Sequence, residues 1–225
     1  MNIEIRQQPS FSVARVSLGT GETCLVESGA MYSMSGGMDV QSKSHGGAMK
    51  SLGRAFLAGE SLFISSFTAP EGGGWVDVAP NLPGDIKLIE LDGSSGWAIT
   101  RGGWLASSPE IKLDTKWAGL GKLVGGEGAF LSHATGAGTA IVACYGAMET
   151  VNLAAGETIT VDSGHVVAYA DTLRSQTRRV SKGMIQSAKS GEGLVFDFAG
   201  PGQLLTQTRN PAALSAWVRA AGARA

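Results

Sequence analysis

Two short motifs each occur three times along this chain, in the same order, and that repetition restricts the fold more than any other feature. The first is a Gly-acid pair, a strand-like run, a second acid and a Gly. It reads GETCLVESG from Gly21, GDIKLIELDG from Gly84 and GETITVDSG from Gly156. The second is Gly-Glu followed by an apolar run, with GESLFISSF from Gly59, GEGAFLSHA from Gly126 and GEGLVFDFA from Gly191. Starts of the first motif lie 63 and 72 residues apart, and those of the second 67 and 65. Two motifs holding one order and a similar period are the mark of a structural repeat. The middle copy of the first motif has one extra residue, which reads as a bulge.

Each copy carries the alternation of a half-buried strand, as in Thr158-Ile159-Thr160-Val161-Asp162 and Trp75-Val76-Asp77-Val78. The 33 glycines are spread along the chain rather than bunched in a linker, so they read as turns and bulges. The expected fold is therefore all-β, one domain over 1–225 with units near 11–80, 81–152 and 153–209. One unit cannot bury its own apolar face, and three packed around an axis can. Closure into a barrel or prism would also hide the strand edges.

Two helices are expected. One is a short insertion near 46–58, with Met49, Leu52, Phe56 and Leu57 on an apolar stripe and Lys50 and Arg54 elsewhere. The other is C-terminal, near 211–221 within the 210–225 tail, with Asn210 as N-cap, Pro211 at the first helical position, and Leu214, Trp217 and Val218 on one face.

Candidate chemistry is sparse. His45, His133 and His165 have no metal-ligand spacing between them, so no metal or other cofactor is expected. Serines occur without a partner base, so no catalytic residue is assigned. Glu22, Asp85 and Glu157, like Glu60, Glu127 and Glu192, are equivalent by repeat and read as turn acids that cap loop amides. Cys24 and Cys144 sit in apolar runs and read as buried free thiols, which points to a reducing, cytoplasmic setting. The N-terminal MNIEIRQQPSF has no apolar core of a signal peptide. Tryptophans are five, and Trp97 to Trp117 is the stretch where an exposed aromatic platform would fall, with core packing the simpler reading.

Eighteen basic against nineteen acidic residues leave a formal net charge of -1, so DNA is not expected as a partner and RNA is disfavoured. The densest basic run, Arg174-Arg178-Arg179-Lys182, reads as a solvated strand edge and turn.

The segments GESLFISSFTA, GGWVDVAPNLPGDIKLIELDG, GETITVDSGHVVAYADTL and GEGLVFDFAGPGQLLTQTRNP resemble the altered-inheritance-of-mitochondria family, over about Phe11 to Pro211. The resemblance implies a fold like that of the tryptophan RNA-binding attenuation protein, a double-stranded β-helix-like unit that is often oligomeric. It carries no catalytic residues to transfer. The resulting expectation is a non-enzymatic homo-oligomeric scaffold or binding protein. Its contact element would be Met49, Lys50, Leu52, Arg54 and Phe56, facing a membrane surface or a second subunit, with a cap over one end of its own barrel as the equal alternative. The alternative is a small-molecule or RNA binder of the attenuation-protein type.

Overall fold

A computed structural model describes residues 1–44, 63–114, 131–179 and 194–222. After β1 (Asn2–Arg6), the strands fall into three units of six. The first holds β2 (Val13–Leu18), β3 (Thr23–Glu27), β4 (Met31–Met34), β5 (Asp39–Ser44), β6 (Phe63–Thr68) and β7 (Gly74–Val78). The second holds β8 (Ile86–Asp92), β9 (Trp97–Thr100), β10 (Trp104–Ser107), β11 (Lys112–Asp114), β12 (Leu131–Thr135) and β13 (Ala137–Ala143). The third holds β14 (Met148–Leu153), β15 (Thr158–Asp162), β16 (Val166–Ala170), β17 (Arg174–Arg179), β18 (Leu194–Ala199) and β19 (Gly202–Gln207), before helix α1 (Pro211–Gly222).

Pairing repeats from unit to unit. In each, the sixth strand lies between the first and third, and the fifth lies between the second and fourth. Each unit is thus a small sandwich of two three-stranded layers. Successive sandwiches are fused edge to edge: β3 pairs with β10, and β9 with β16, both antiparallel. Four sheets result, in the orders β1-β2-β7-β4, β5-β6-β3-β10-β13-β8, β11-β12-β9-β16-β19-β14 and β15-β18-β17.

The expected double-stranded β-helix-like barrel or prism, and with it the likeness to the attenuation protein, does not hold. No sheet closes among the described residues. A third fusion, β15 to β4, would complete the set, yet among the described residues β4 pairs only with β7 and β15 only with β18. The repeat itself is present, with one change of register. GDIKLIELDG forms β8, which pairs with β13 and takes the place of β2 and β14 rather than of β3 and β15. All three copies of the second motif lead into the fifth strand of a unit.

Each sandwich has its own apolar core. In the first, Val16, Val26, Phe67 and Val76 are joined by Leu105, Ala106 and Ile141 from the second unit. In the second, Trp97, Ile99, Trp104 and Val142 are joined by Val167, Ala168 and Leu205 from the third. The third core, around Leu153, Tyr169, Phe196, Phe198 and Leu204, draws on no later unit among the described residues. Aromatics fill it instead: Tyr169 and Phe198 lie 5.0 Å apart between ring centroids, and Phe196 and Phe198 5.6 Å. Phe196 stands where the first two units carry Ser65 and Ser132, as the strand registers show.

Turn acids behave as the sequence suggests in two of the three copies. Glu22 accepts a hydrogen bond from the Gly19 amide at 2.8 Å, and Glu157 accepts one from Ala154 at 2.7 Å. Asp85, on the displaced copy, instead binds Gln8, Ser12 and the Ile86 amide. Asn210 caps α1 by accepting from Ala212 and Ala213. The apolar face of that helix stays uncovered, with Trp217 69% and Val218 53% exposed.

Candidate functional site

The third strand of every unit begins with the same irregularity. Pairing skips one residue between Met31 and Ser33, between Trp104 and Ala106, and between Val166 and Ala168. The extra residue of each bulge is therefore Tyr32, Leu105 or Val167, swung off the regular alternation. Leu105 and Val167 are 2% and 1% exposed, each inserted into the core of the preceding unit. Among the described residues no unit lies in front of Tyr32, which is 68% exposed. Met31 at 40% and Met34 at 39% flank it, and Val40 nearby on β5 is 42% exposed.

The face behind β4 is built differently from its counterparts. Register places Asp77 where Ile141 and Leu205 stand, Arg15 where Leu88 and Thr150 stand, and Ser33 where Ala106 and Ala168 stand. Arg15 holds the buried Asp77 carboxylate through two bonds of 2.8 Å, Arg6 adds an ion pair at 2.9 Å, and Ser33 donates at 3.1 Å. The Arg15 guanidinium, with Arg6 and Ser33 in support, keeps the Asp77 carboxyl below its ordinary range. Arg15 also stacks over Trp75, 3.8 Å from the ring centroid. Asp77 replaces an apolar residue of both other units and Arg15 a Leu or Thr, and together they form an ion-paired lid over the first sheet, which suits a terminal repeat.

At the other end, the outer face of the β15-β18-β17 sheet is also ion-paired. Arg178 binds Asp197 at 2.5 Å and Thr160 donates to the same carboxylate at 2.6 Å. A shallow depression of about 450 Å³ covers this face, lined by Thr158, Thr160, Arg174, Gln176 and Asp197 among others. The equivalent face of the first unit forms a groove of about 810 Å³. Thr23, Leu25, Gln41, Ser66 and Thr68 make its floor, and Pro109, Ile111, Lys112 and Leu113 of the second unit make its wall. The third unit has the floor and lacks the wall.

Residues singled out in the sequence fall as follows. Met49, Lys50, Leu52, Arg54 and Phe56 lie outside the described residues, as do Glu60, Glu127, Glu192, His45 and Trp117. His133 pairs with Asp171 at 2.8 Å, and His165 Nδ1 meets the Gln207 carbonyl at 2.7 Å. Trp97 and Trp104 are buried core residues rather than an exposed platform. Cys24 and Cys144 are buried free thiols, pushed up to about 12 and about 11 by desolvation. The basic run begins on the sheet-edge strand β17. Among the described residues no group of three His, Cys, Asp or Glu side chains could hold a metal ion, and no helix is long and apolar enough to cross a membrane. The edge at β4 was not singled out in the sequence; the signal was available, since Met31 and Tyr32 stand where the other units place Trp104-Leu105 and Val166-Val167.

A family model for mitochondrial biogenesis, AIM24, matches residues 3–209. The chain belongs to the AIM24 family. It is 28% identical over 218 residues to an uncharacterized protein of Streptococcus pyogenes serotype M6, covering 93% of this chain and 86% of that relative. Its fold is similar to the crystal structure of another Streptococcus pyogenes protein, with TM-score 0.79, 26% identity, and coverage of 97% of this chain and 98% of that one. Neither relative's description states an activity.

Proposed function

We propose that this AIM24-family protein is a non-enzymatic scaffold that works through surfaces, with peripheral membrane contact made by the connections between the fourth and fifth strands of its units. The supporting observation is where the candidate contact segment sits in the repeat. Residues 46–58 lie within the β5–β6 connection, and 115–130 and 180–193 are the same connection in the other two units. All three combine basic and apolar residues. Lys50, Arg54 and Phe56 in the first are matched by Lys116, Trp117 and Lys122 in the second, and by Lys182, Ile185 and Lys189 in the third. Basic side chains beside apolar ones are what an anionic lipid surface takes up, and three such contacts on one chain would add by avidity.

Flotation with anionic and with neutral vesicles tests this reading. Binding to anionic vesicles that drops when Lys50, Arg54 and Phe56 are replaced by Glu, Glu and Ser is the expected result. No flotation with either vesicle rejects membrane contact.

A second reading rests on the 810 Å³ groove, whose floor of Thr, Gln and Ser hydroxyls and amides beside Leu25 and Lys112 suits a small polar ligand. Thermal-shift screening with amino acids and nucleotides separates the two. A ligand that raises Tm for the wild type and not for Ser66→Leu favours the groove.

A further inference from the structure

We propose that β4 of one copy of this chain pairs with β15 of a second copy, head to tail, reproducing between molecules the fusion that joins the units within one. The argument starts from the two internal junctions. Strand β10 meets β3 with Ala106 opposite Val26 and Ser107 opposite Leu25. Strand β16 meets β9 with Ala168 opposite Ile99 and Tyr169 opposite Ala98. Counting from the bulge, the same register sets Ser33 opposite Val161 and Met34 opposite Thr160.

Burial marks both edges as lacking this partner. Val26 and Ile99, inside the two formed junctions, are 0% exposed, whereas Val161 at the equivalent place is only half-buried. On the other side, the bulge residue is 2% exposed at Leu105, 1% at Val167 and 68% at Tyr32. Unpaired strand edges are templates for another strand, and neither β4 nor β15 carries a proline or a lysine to block one.

The groove walls agree. In the first groove the wall is Ile111, Lys112 and Leu113, whose counterparts by register are Met38, Asp39 and Val40. Docked head to tail, those three residues of the second copy supply the missing wall of the depression lined by Arg174 and Gln176. Asp39 then comes to a basic rim, which is favourable by charge. Tyr and Met at the centre of the contact match the composition of protein interfaces. The Asp77 and Asp197 clusters are already neutralised within their own copies, so the faces beside the new junction are polar, and the contact is of the reversible kind rather than an obligate core. Because the two edges differ, the contact is heterologous and continues from copy to copy, ending in a ring or an open filament.

This goes beyond the membrane reading and is measured without lipid, so each stands or fails separately. In lipid-free buffer, sedimentation or light scattering across micromolar concentrations should give a mass that rises above the monomer. Tyr32→Asp removes the β4 edge and Thr160→Lys the β15 edge; both positions are exposed, so each variant should fold and remain monomeric. A one-to-one mixture should form a dimer and nothing larger, because each variant retains the edge the other lacks. As a second measurement, a chain with Met34→Cys and Thr160→Cys should form disulfides between chains on mild oxidation. Three results overturn the proposal: a wild type that stays monomeric, a mixture that stays monomeric, or a disulfide that closes within one chain.

Discussion

Tyr32 and Leu105 occupy the same bulge in successive units, and the first is 68% exposed while the second is 2% exposed. The backbone irregularity is equal in both; what differs is whether another sandwich lies in front of it. Leu105 fills a site in the first core, so Leu105→Ala should cost about 2–5 kcal/mol in a denaturant melt. Tyr32→Ala should lie within about 0.5 kcal/mol of wild type at concentrations where the chain is monomeric. Equal losses at the two positions would show that Tyr32 is packed in solution.

Asp77 is the buried anchor of the first sheet's charged lid. Asp77→Ala strands Arg15 and Arg6 and should destabilise by about 2–4 kcal/mol, toward the lower end of a broken buried pair because both arginines reach water. Restoring the apolar pattern of the second unit, with Asp77→Ile and Arg15→Leu together, should recover part of that loss. The sign of the pH effect follows from the lowered carboxyl. The folded state holds the ionised form more tightly than the unfolded chain does. The Asp77 contribution is therefore fully present above the unfolded value of about 4 and is lost as acidity carries the pH through the lower folded value. Urea midpoints from pH 6 to pH 2, compared between wild type and Asp77→Ala, should converge toward the acid end.

Glu27 should act in the opposite direction. Burial at the end of β3 pushes its carboxyl up to about 7, with Arg101 pulling only weakly the other way. The folded state thus prefers the protonated form, and ionisation carries a penalty. That penalty is absent below the ordinary Glu value near 4.5, grows as pH rises, and is complete above about 7. Glu27→Gln should raise Tm at pH 8 and leave it nearly unchanged at pH 4. A Tm gain of equal size at both values would mean that Glu27 is not held in a desolvated place.

Much of this arrangement could be read from residues alone. The second motif marked the fifth strand of every unit because an apolar run after Gly-Glu has to enter a core wherever it lies. Glu22 and Glu157 declared their turns because their hydrogen bonds are made within three residues. GDIKLIELDG misled because alternation specifies one buried face and says nothing about which neighbour the strand pairs with. Closure was illegible for the same reason carried further. It depends on β4 meeting β15 across more than a hundred residues, and no local pattern in MYSM or TITVD reports whether that pairing forms. The charged lid was visible only as three separated residues, Arg6, Arg15 and Asp77, until register brought them onto one face.

Gly84 yields a sharper test of the displaced strand. It forms a parallel bridge with Gly146 just ahead of β8, and a Cβ built there would come within 1.8 Å of the Cys144 carbonyl oxygen. The obstacle is backbone, which cannot rotate away as a flexible side chain can. If GDIKLIELDG sat where GETCLVESG and GETITVDSG sit, its leading glycine would need only the freedom of a turn. Gly21 and Gly156, at positive φ, have nothing within 4 Å of a Cβ. Ala at those two sites should therefore cost the roughly 1 kcal/mol of an unfavourable φ. Gly84→Ala should cost at least about 1–3 kcal/mol through a forced shift of β8 against β13. Equilibrium melts of the three variants give the order, and hydrogen exchange localises the cause. Faster exchange confined to β8 and β13 in Gly84→Ala would fix that glycine as a packing contact between strands, whereas three equal losses would return it to the role of an ordinary turn.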